Sequence, residues 1–349
     1  MDPLIVVIAA MPKAELHMHL EGSIEPELSF RLAEKNGIRL RYRSVEELRA
    51  AYDFPNLQGF LDVYYAGTSV LLDEQDFYDL AWAYLERAQA DHIVRAEVFL
   101  GPQAHTARGV PFDTMMRGVV RALEDGAARL GVSAALIVNL LRHKSEEDGF
   151  ATLQQTVAWR DRVIGIGLGG TEVGNPPRKF ERLFARCREL GFRVMAHAGE
   201  EGPAGYVRDA VDVLKVDRID HGVRCEEDPA LVRRLAALQV PLTVCPLSNV
   251  KLKVFPRLVD HNLKRLLRAG LRVTINSDDP SYFGGYLGDN YTACVQALGL
   301  AAGDIYRLAR NGFTASFLPE EEKRKHLVAL DACWRSHGYD PGELMQEPT

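Results

Sequence analysis

Short apolar runs recur along the chain, and segments with helical spacing of apolar positions separate them. Eight runs have the character of buried strands and cover residues 15–20, 93–100, 134–141, 163–169, 192–198, 218–222, 240–246 and 272–279. Segments with apolar residues three or four positions apart cover 74–90, 114–131, 179–191, 228–239 and 262–271. This alternation is typical of a parallel sheet covered by helices.

The number of strands predicts the class α/β and closure into a (β/α)₈ barrel (TIM barrel), with residues 1–349 forming a single domain. An open doubly wound sheet is disfavoured, because GIGLGG at 165–170 is followed by TEVGNPP where a dinucleotide-binding helix should begin. We expect additional helices after strand one, within 26–75, and at the C-terminus, within 298–349. The apolar run 4–10 is predicted to be a lead-in segment that packs on the domain.

Charge and cysteine content narrow the classes of partner. The formal net charge of -6 provides no general attraction to phosphate backbones or anionic lipids, which disfavours nucleic-acid and membrane binding. A small-molecule substrate fits better. The 5 cysteines are widely spaced and odd in number, which predicts reduced thiols and a cytoplasmic location. The oligomeric state stays open, a homo-oligomer included.

Polar clusters stand at the ends of four predicted strands. In a (β/α)₈ barrel, the C-terminal strand ends and the loops that follow them build the active site. The polar residues at these ends are His17 and His19 after strand one, His197 and Glu200 after strand five, His221 after strand six, and Asp278 and Asp279 after strand eight.

A metal site accounts for four of these residues together. His17 and His19 are two positions apart on a strand, so their side chains point to the same side. With His197 and Asp278 they form a ligand set suited to Zn²⁺ or a similar divalent ion, with a position left for water. Each histidine alone could equally be a hydrogen-bonded core residue, but the shared location at strand ends favours the metal.

The other polar residues then acquire roles beside the metal. His221 is placed to accept or orient a proton of the metal-activated water. Glu200 could protonate a substrate atom as the water attacks, which favours a carboxyl with a raised pKa. Asp279 is expected to point away from Asp278 by strand alternation, so that one carboxylate serves the metal and the other the substrate.

The motifs PKAELHMHLEGS, HAGE, RIDHG, PLSN and SDDP resemble those of the adenosine/adenine deaminase branch of the amidohydrolase superfamily, from about Pro12 to the late 310s. The resemblance implies hydrolytic deamination at C6 of a 6-aminopurine, giving hypoxanthine and ammonia or an amine. It implies one Zn²⁺ per subunit, because strand four lacks the lysine that holds a second metal in other amidohydrolases. It also implies that Glu200 protonates N1, that Asp279 bonds N7, and that the amide of Gly170 meets the purine.

The sequence leaves the identity of the purine open. Several segments look closest to adenine deaminases, which act on the free base, but Gly101, Gly169 and Gly170 stand where those proteins typically carry larger side chains. Loop variation explains this, or the glycines enlarge the pocket for an N6-substituted adenine or for a nucleoside, either adenosine or aminodeoxyfutalosine. Rival functions are a metal-dependent ester, lactone or phosphotriester hydrolase and a non-catalytic purine-binding protein.

Overall fold

A ring of eight parallel strands forms the centre of the computed structural model, which describes residues 2–54 and 57–346. The strands follow chain order, each hydrogen-bonded to the next. Their bounds are β1 Lys13–His19, β2 Ile93–Leu100, β3 Ser133–Leu141, β4 Val163–Gly169, β5 Arg193–Ala198, β6 Arg218–His221, β7 Leu242–Val244 and β8 Val273–Ile275.

Backbone hydrogen bonds beyond the end of β8 join it to β1. The amide of His19 donates to the carbonyl of Asp278 at 2.8 Å, and the amide of Asp278 donates to the carbonyl of His17 at 3.1 Å. The chain therefore forms the predicted (β/α)₈ barrel. These same bonds place two predicted metal ligands of β1 directly beside Asp278.

Helices surround the barrel. Those before β5 are α1 Pro3–Ala10, α2 Pro26–Lys35, α3 Val45–Ala50, α4 Leu57–Thr68, α5 Glu74–Ala90, α6 Pro102–Thr106, α7 Phe112–Arg129, α8 Glu146–Val157 and α9 Glu181–Glu189. Those after β5 are α10 Ala204–Asp209, α11 Pro229–Leu238, α12 Pro246–Lys251, α13 Leu263–Arg268, α14 Pro280–Phe283, α15 Leu287–Leu298, α16 Ala302–Ala315, α17 Glu320–Ser336 and α18 Pro341–Gln346.

The predicted extra helices are present. The excursion after strand one contains α2, α3 and α4, and the segment after residue 298 contains α16, α17 and α18. The lead-in segment is the helix α1, which packs on the domain through buried Leu4, Val7 and Ile8. The described helices include none that combines the length and apolarity needed to cross a bilayer.

The last two strands are shorter than their apolar runs. β8 ends at Ile275, so Asp278 and Asp279 lie on the loop that follows it. The polar sequence Asn276-Ser277 explains the early end, because the Asn276 side chain accepts from the amide of Leu16 at 2.8 Å and the Ser277 hydroxyl donates to Glu15 at 2.5 Å. The expectation that strand alternation separates the two aspartates was therefore wrong, because neither aspartate lies on the strand.

Candidate functional site

A pocket lies at the C-terminal ends of the strands and encloses roughly 650 Å³, part of it open solvent at the mouth. Seven predicted site residues line it, and His17, the eighth, is fully buried. The lining residues are His19, Phe60, Leu61, Tyr64, Tyr65, Gly101, Ala104, Asn139, Leu141, Gly170, His197, Glu200, His221, Leu252, Asp278, Asp279 and Phe283.

The four residues predicted to bind a metal converge at the base of this pocket. Nε2 of His19 lies 3.2 Å from Nε2 of His197. Oδ1 of Asp278 lies 3.4 Å from Nε2 of His17 and 3.4 Å from Nε2 of His19. The fold thus brings together side chains that are separated by as many as 261 positions in the sequence.

His221 joins this cluster as closely as His19 does. Ligand atoms of His17, His197, His221 and Asp278 all lie within 4.8 Å of one another. A second, overlapping group within the same limit contains His19, Asp278 and Asp279. Nε2 of His221 is 3.5 Å from Oε2 of Glu200 and 3.8 Å from Oδ2 of Asp278, which places His221 between the cluster and Glu200.

The cluster has the free ring nitrogens that a cation requires. Nδ1 of His17 contacts the hydroxyl of Thr243 at 3.0 Å, which leaves Nε2 facing the cluster. Nε2 of His17 and Nε2 of His221 are buried without a hydrogen-bond partner among the described residues. Because a buried polar atom without a partner is destabilising, imidazole nitrogens left free beside a carboxylate fit a divalent ion.

Asp220 lies under the cluster and was missed by the sequence analysis. Its Oδ2 is 3.3 Å from Nδ1 of His197, and its Oδ1 accepts from the hydroxyl of Thr243 at 3.0 Å. Burial raises the pKa of Asp220, but His17, His197 and Arg218 outweigh burial and hold it below its ordinary value. An anionic carboxylate behind a ligating imidazole orients the ring and raises its basicity.

Glu172 is a second missed residue, and it shapes the loop that carries Glu200. Its carboxylate accepts four backbone amides, from Gly199 at 2.7 Å, Glu200 at 3.1 Å, Glu201 at 2.8 Å and Gly202 at 2.7 Å. One buried carboxylate therefore fixes the whole turn after β5. The glutamate in GGTEVGN, just after strand four, is the local signal for this role in the sequence.

Glu200 has the properties of a proton donor. It is almost fully buried and faces the pocket. Burial, with the charges of Asp278 and Glu172, raises its pKa well above the ordinary value of a glutamate. A carboxyl that is protonated near neutral pH can transfer a proton to a substrate nitrogen.

Asp279 shares this character, whereas Asp278 does not. Burial and the neighbouring Asp278 raise the pKa of Asp279 well above its usual range. Burial opposes ionisation of Asp278 as well, but His17 and the other histidines hold its pKa well below the ordinary value. The surroundings therefore move the pKa values of the two adjacent aspartates in opposite directions, which is consistent with different roles for them.

Two residues of the site have an unusual backbone conformation. Asp278 has φ 65 and His221 has φ 64, values that non-glycine residues rarely adopt and that cluster at functional sites. The hydroxyl of Ser248 donates to Oδ2 of Asp278 at 2.7 Å and holds the carboxylate toward the histidines. Gly22 allows the β1 loop to approach Asp279, because a Cβ there would lie 2.0 Å from its Oδ1.

The three glycines noted in the sequence occupy different surroundings. Gly170 lines the pocket and has φ 87, a conformation that favours glycine. The amide of Gly101 donates to Oε1 of Glu21 at 2.8 Å. The space that a side chain at Gly169 would need is filled by Asn139, whose Nδ2 would lie 2.6 Å from the added Cβ. Gly169 therefore accommodates Asn139 and adds no volume to the pocket.

Apolar and aromatic residues form part of the pocket wall. Phe60, Leu61, Tyr64 and Tyr65 belong to α4, which is part of the excursion after β1. The sequence predicted this excursion as helical but contained no motif that assigned it to the site. Aromatic and aliphatic side chains of this kind suit contact with the face of a flat ring.

The chain is similar to known proteins over most of its length. The family model described as adenosine deaminase matches residues 12–333. An adenine deaminase of Ralstonia pickettii (strain 12J) is 60% identical over 333 residues, which cover 94% of this chain and 96% of the relative.

Two solved structures have the same fold. The adenine deaminase of Arthrobacter aurescens matches with a TM-score of 0.91 and 51% identity, covering 93% of this chain and 99% of that protein. An amidohydrolase of Burkholderia ambifaria with bound Zn matches with a TM-score of 0.90 and 27% identity, covering 97% of this chain and 96% of that protein.

Proposed function

The chain belongs to the adenosine deaminase family, and from this premise we propose that it hydrolyses the 6-amino group of free adenine to give hypoxanthine and ammonia. The high identity to adenine deaminases over almost the whole chain supports the free base as substrate. The observation that carries the proposal is the pairing, in one pocket, of a histidine and aspartate cluster with two carboxyl groups whose pKa values are raised.

We assign one Zn²⁺ per subunit to His17, His19, His197 and Asp278. The buried free nitrogen of His17 and the ionised state of Asp278 support this assignment. When bound, such an ion supplies a Lewis acid that makes water a nucleophile near neutral pH. His221, which lies next to the same cluster, accepts or orients a proton of the attacking water.

Glu200 holds the proton that the purine needs. In its neutral form it donates this proton to N1 as water attacks C6, so that negative charge does not accumulate on the ring. Nε2 of His221 lies 3.5 Å from the Glu200 carboxyl, so the two residues form a short path for proton transfer beside the reacting carbon.

Asp279 and Gly170 orient the base. N7 of adenine is a hydrogen-bond acceptor, so a protonated Asp279 donates to it, which agrees with the raised pKa of that carboxyl. The Gly170 amide is assigned to the purine from the pocket wall formed by β4. The aromatic cover from α4 excludes water from the ring face and strengthens these contacts.

An N6-substituted adenine is a second candidate substrate, and the apolar cover over the pocket favours it. We propose to compare kcat/KM of the zinc-loaded protein on adenine, N6-isopentenyladenine, adenosine and aminodeoxyfutalosine. Highest turnover of adenine supports the proposed function. Highest turnover of a nucleoside, or of none of the four, contradicts it.

An ester, lactone or phosphotriester hydrolase would not need Asp279. If this rival is correct, Asp279→Ala leaves hydrolysis of such substrates by the protein intact, and adenine is not consumed.

A cytoplasmic location stays a prediction, and the free state of all 5 cysteines supports it. Light scattering on the zinc-loaded protein would determine the oligomeric state.

A further inference from the structure

Asn139 is a polar side chain in the pocket that has no assigned role. It lies on β3 near the C-terminal end of the strand, is only 4% exposed, and lines the pocket. Its Oδ1 is buried without a hydrogen-bond partner among the described residues. An unpaired carbonyl oxygen in a buried site is destabilising, which indicates that a ligand supplies the missing donor.

The neighbouring strand makes room for this side chain. Asn139 pairs with Gly167 across β3 and β4. A Cβ at Gly167 would lie 2.9 Å from Oδ1 of Asn139, and a Cβ at Gly169 would lie 2.6 Å from its Nδ2. Larger residues at either position would displace the carboxamide, so the two glycines and Asn139 form one structural unit.

Asn139 differs from the other described residues of its pocket wall because its side chain can form hydrogen bonds. The described residues that line the pocket from β2, β3, β4 and their following loops are Gly101, Ala104, Asn139, Leu141 and Gly170. Asn139 carries the hydrogen-bonding side chain of this wall. The catalytic carboxyls and the metal cluster come from the opposite wall, formed by β5 to β8 and β1.

Adenine bound in the proposed orientation presents a matching edge to this wall. When C6 is at the metal cluster, N3 lies directly across the six-membered ring from it. N9 is bonded to C4, the ring carbon next to N3, so N3 and N9 share one edge of the base. In the free base N3 is an acceptor and N9–H is a donor. A carboxamide has one donor and one acceptor side by side and can pair with both atoms.

We propose that Asn139 is the residue that selects the free base over purines substituted at N9. Its Oδ1 accepts a hydrogen bond from N9–H, and its Nδ2 donates to N3. A sugar or alkyl group at N9 removes that donor and leaves Oδ1 buried and unpaired, which a site built around a hydrogen bond rejects strongly. This inference rests on the proposed deamination of adenine.

The test compares adenine with 9-methyladenine, which lacks only the N9 donor and adds one methyl group. We expect kcat/KM of the wild-type protein to be at least about 100-fold lower on 9-methyladenine. Asn139→Ala removes the acceptor and makes room for the methyl group, so the ratio between the two substrates should fall by at least about tenfold. Asn139→Asp keeps an acceptor and should retain most of the ratio.

Leu141→Ala is the matched control, because it opens space in the same wall without removing a hydrogen-bond acceptor. We expect it to leave the ratio unchanged; a fall as large as that of Asn139→Ala would mean that selection is purely steric and would overturn the inference. Equal wild-type efficiency on both substrates would also overturn it. Failure of the wild-type protein to consume adenine would instead refute the proposed function, and this inference with it.

Discussion

Oδ2 of Asp220 lies 3.3 Å from Nδ1 of His197, directly behind a proposed metal ligand. Thr243 connects the same carboxylate to His17, because its hydroxyl donates to Oδ1 of Asp220 and contacts Nδ1 of His17. A single buried aspartate therefore faces two imidazole rings from below. It orients both rings without reaching the pocket.

This relationship predicts that Asp220 controls metal affinity. We expect Asp220→Ala to weaken Zn²⁺ binding by about 10-fold to 100-fold, the usual effect of removing a carboxylate behind a ligating histidine. Competition with a chromophoric chelator measures the affinity. Asp212→Asn, which alters a carboxylate paired with exposed Arg234, is the control and should leave affinity unchanged. Unaltered affinity in Asp220→Ala would show that the contact is only structural.

Glu172 is predicted to act through the position of Glu200. Glu172→Gln replaces a carboxylate that accepts four amides with a group that has one acceptor oxygen, so the turn after β5 should shift. We expect kcat on adenine to fall by about 100-fold while Zn²⁺ content is retained. Glu201→Gln, in the same loop, is the control and should remain within about twofold. Loss of zinc in Glu172→Gln would contradict a role confined to the loop.

Asp279 should act as a hydrogen-bond donor. Burial and the neighbouring Asp278 raise its pKa and favour the protonated form, so asparagine, which also has a donor, is a partial substitute. We expect Asp279→Ala to lower kcat/KM by about 100-fold and Asp279→Asn by about tenfold. Equal losses in the two variants would refute the donor role, and steady-state kinetics on adenine decide between these outcomes.

Removal of the metal should affect both activity and stability. A ligand that binds only the folded chain raises the free energy of unfolding, and the zinc-free cluster would bury unpaired imidazoles. Treatment with a chelator is expected to abolish deamination and to lower Tm, and added Zn²⁺ should restore both. A chelated protein with unchanged Tm and full activity would exclude the proposed metal site.

The buried side chain of Lys13 should make the stability of the fold depend on pH, independently of catalysis. Its buried Nζ donates to the carbonyls of Met11 at 3.1 Å and Asp91 at 2.8 Å, and burial lowers its pKa to about 8. From about pH 8 to the ordinary pKa of lysine, the unfolded chain holds a proton that the folded chain has released. The free energy of unfolding should therefore rise with pH in this window.

Urea unfolding near pH 7.5 and near pH 10 tests this sign. Replacing Lys13 with methionine should remove up to about 3 kcal/mol of the difference between the two conditions, which corresponds to the lowering of the lysine pKa. Lys325→Met, at a side chain that is 69% exposed, serves as the control and should leave the difference intact. A wild-type free energy of unfolding that falls across the window would contradict the prediction.

The barrel itself could be predicted from the sequence because its signals are local. Strand and helix periods are visible in short windows, and the ends of β2 and β4 agree with the ends of the apolar runs. The strand-end clusters were also visible, since the C-terminal ends of parallel strands in a barrel share one face. The assignment of His17, His19, His197 and Asp278 to a metal remains a prediction that their convergence supports.

Other features depended on contacts between distant segments. The alternation expected for Asp278 and Asp279 failed because β8 ends at Ile275, where side chains of Asn276 and Ser277 bond to β1. No local sequence pattern shows where the backbone pairing of a strand ends and side-chain hydrogen bonds to a neighbouring strand begin. The sequence of α4 likewise looks like that of any amphipathic helix, so it does not show that this helix covers the pocket.

The sequence by itself determined the (β/α)₈ fold, the family resemblance and the residues that could perform acid, base and metal chemistry, because each rests on a pattern within a short segment. Only the tertiary structure decided how those residues differ in charge and which others support them. Asp278 and Asp279 are neighbours of the same type, yet the histidines that surround one and the burial of the other move their pKa values in opposite directions. Glu172, Asp220 and Asn139 acquire their roles from partners on other strands, and such proximity exists only in the folded chain.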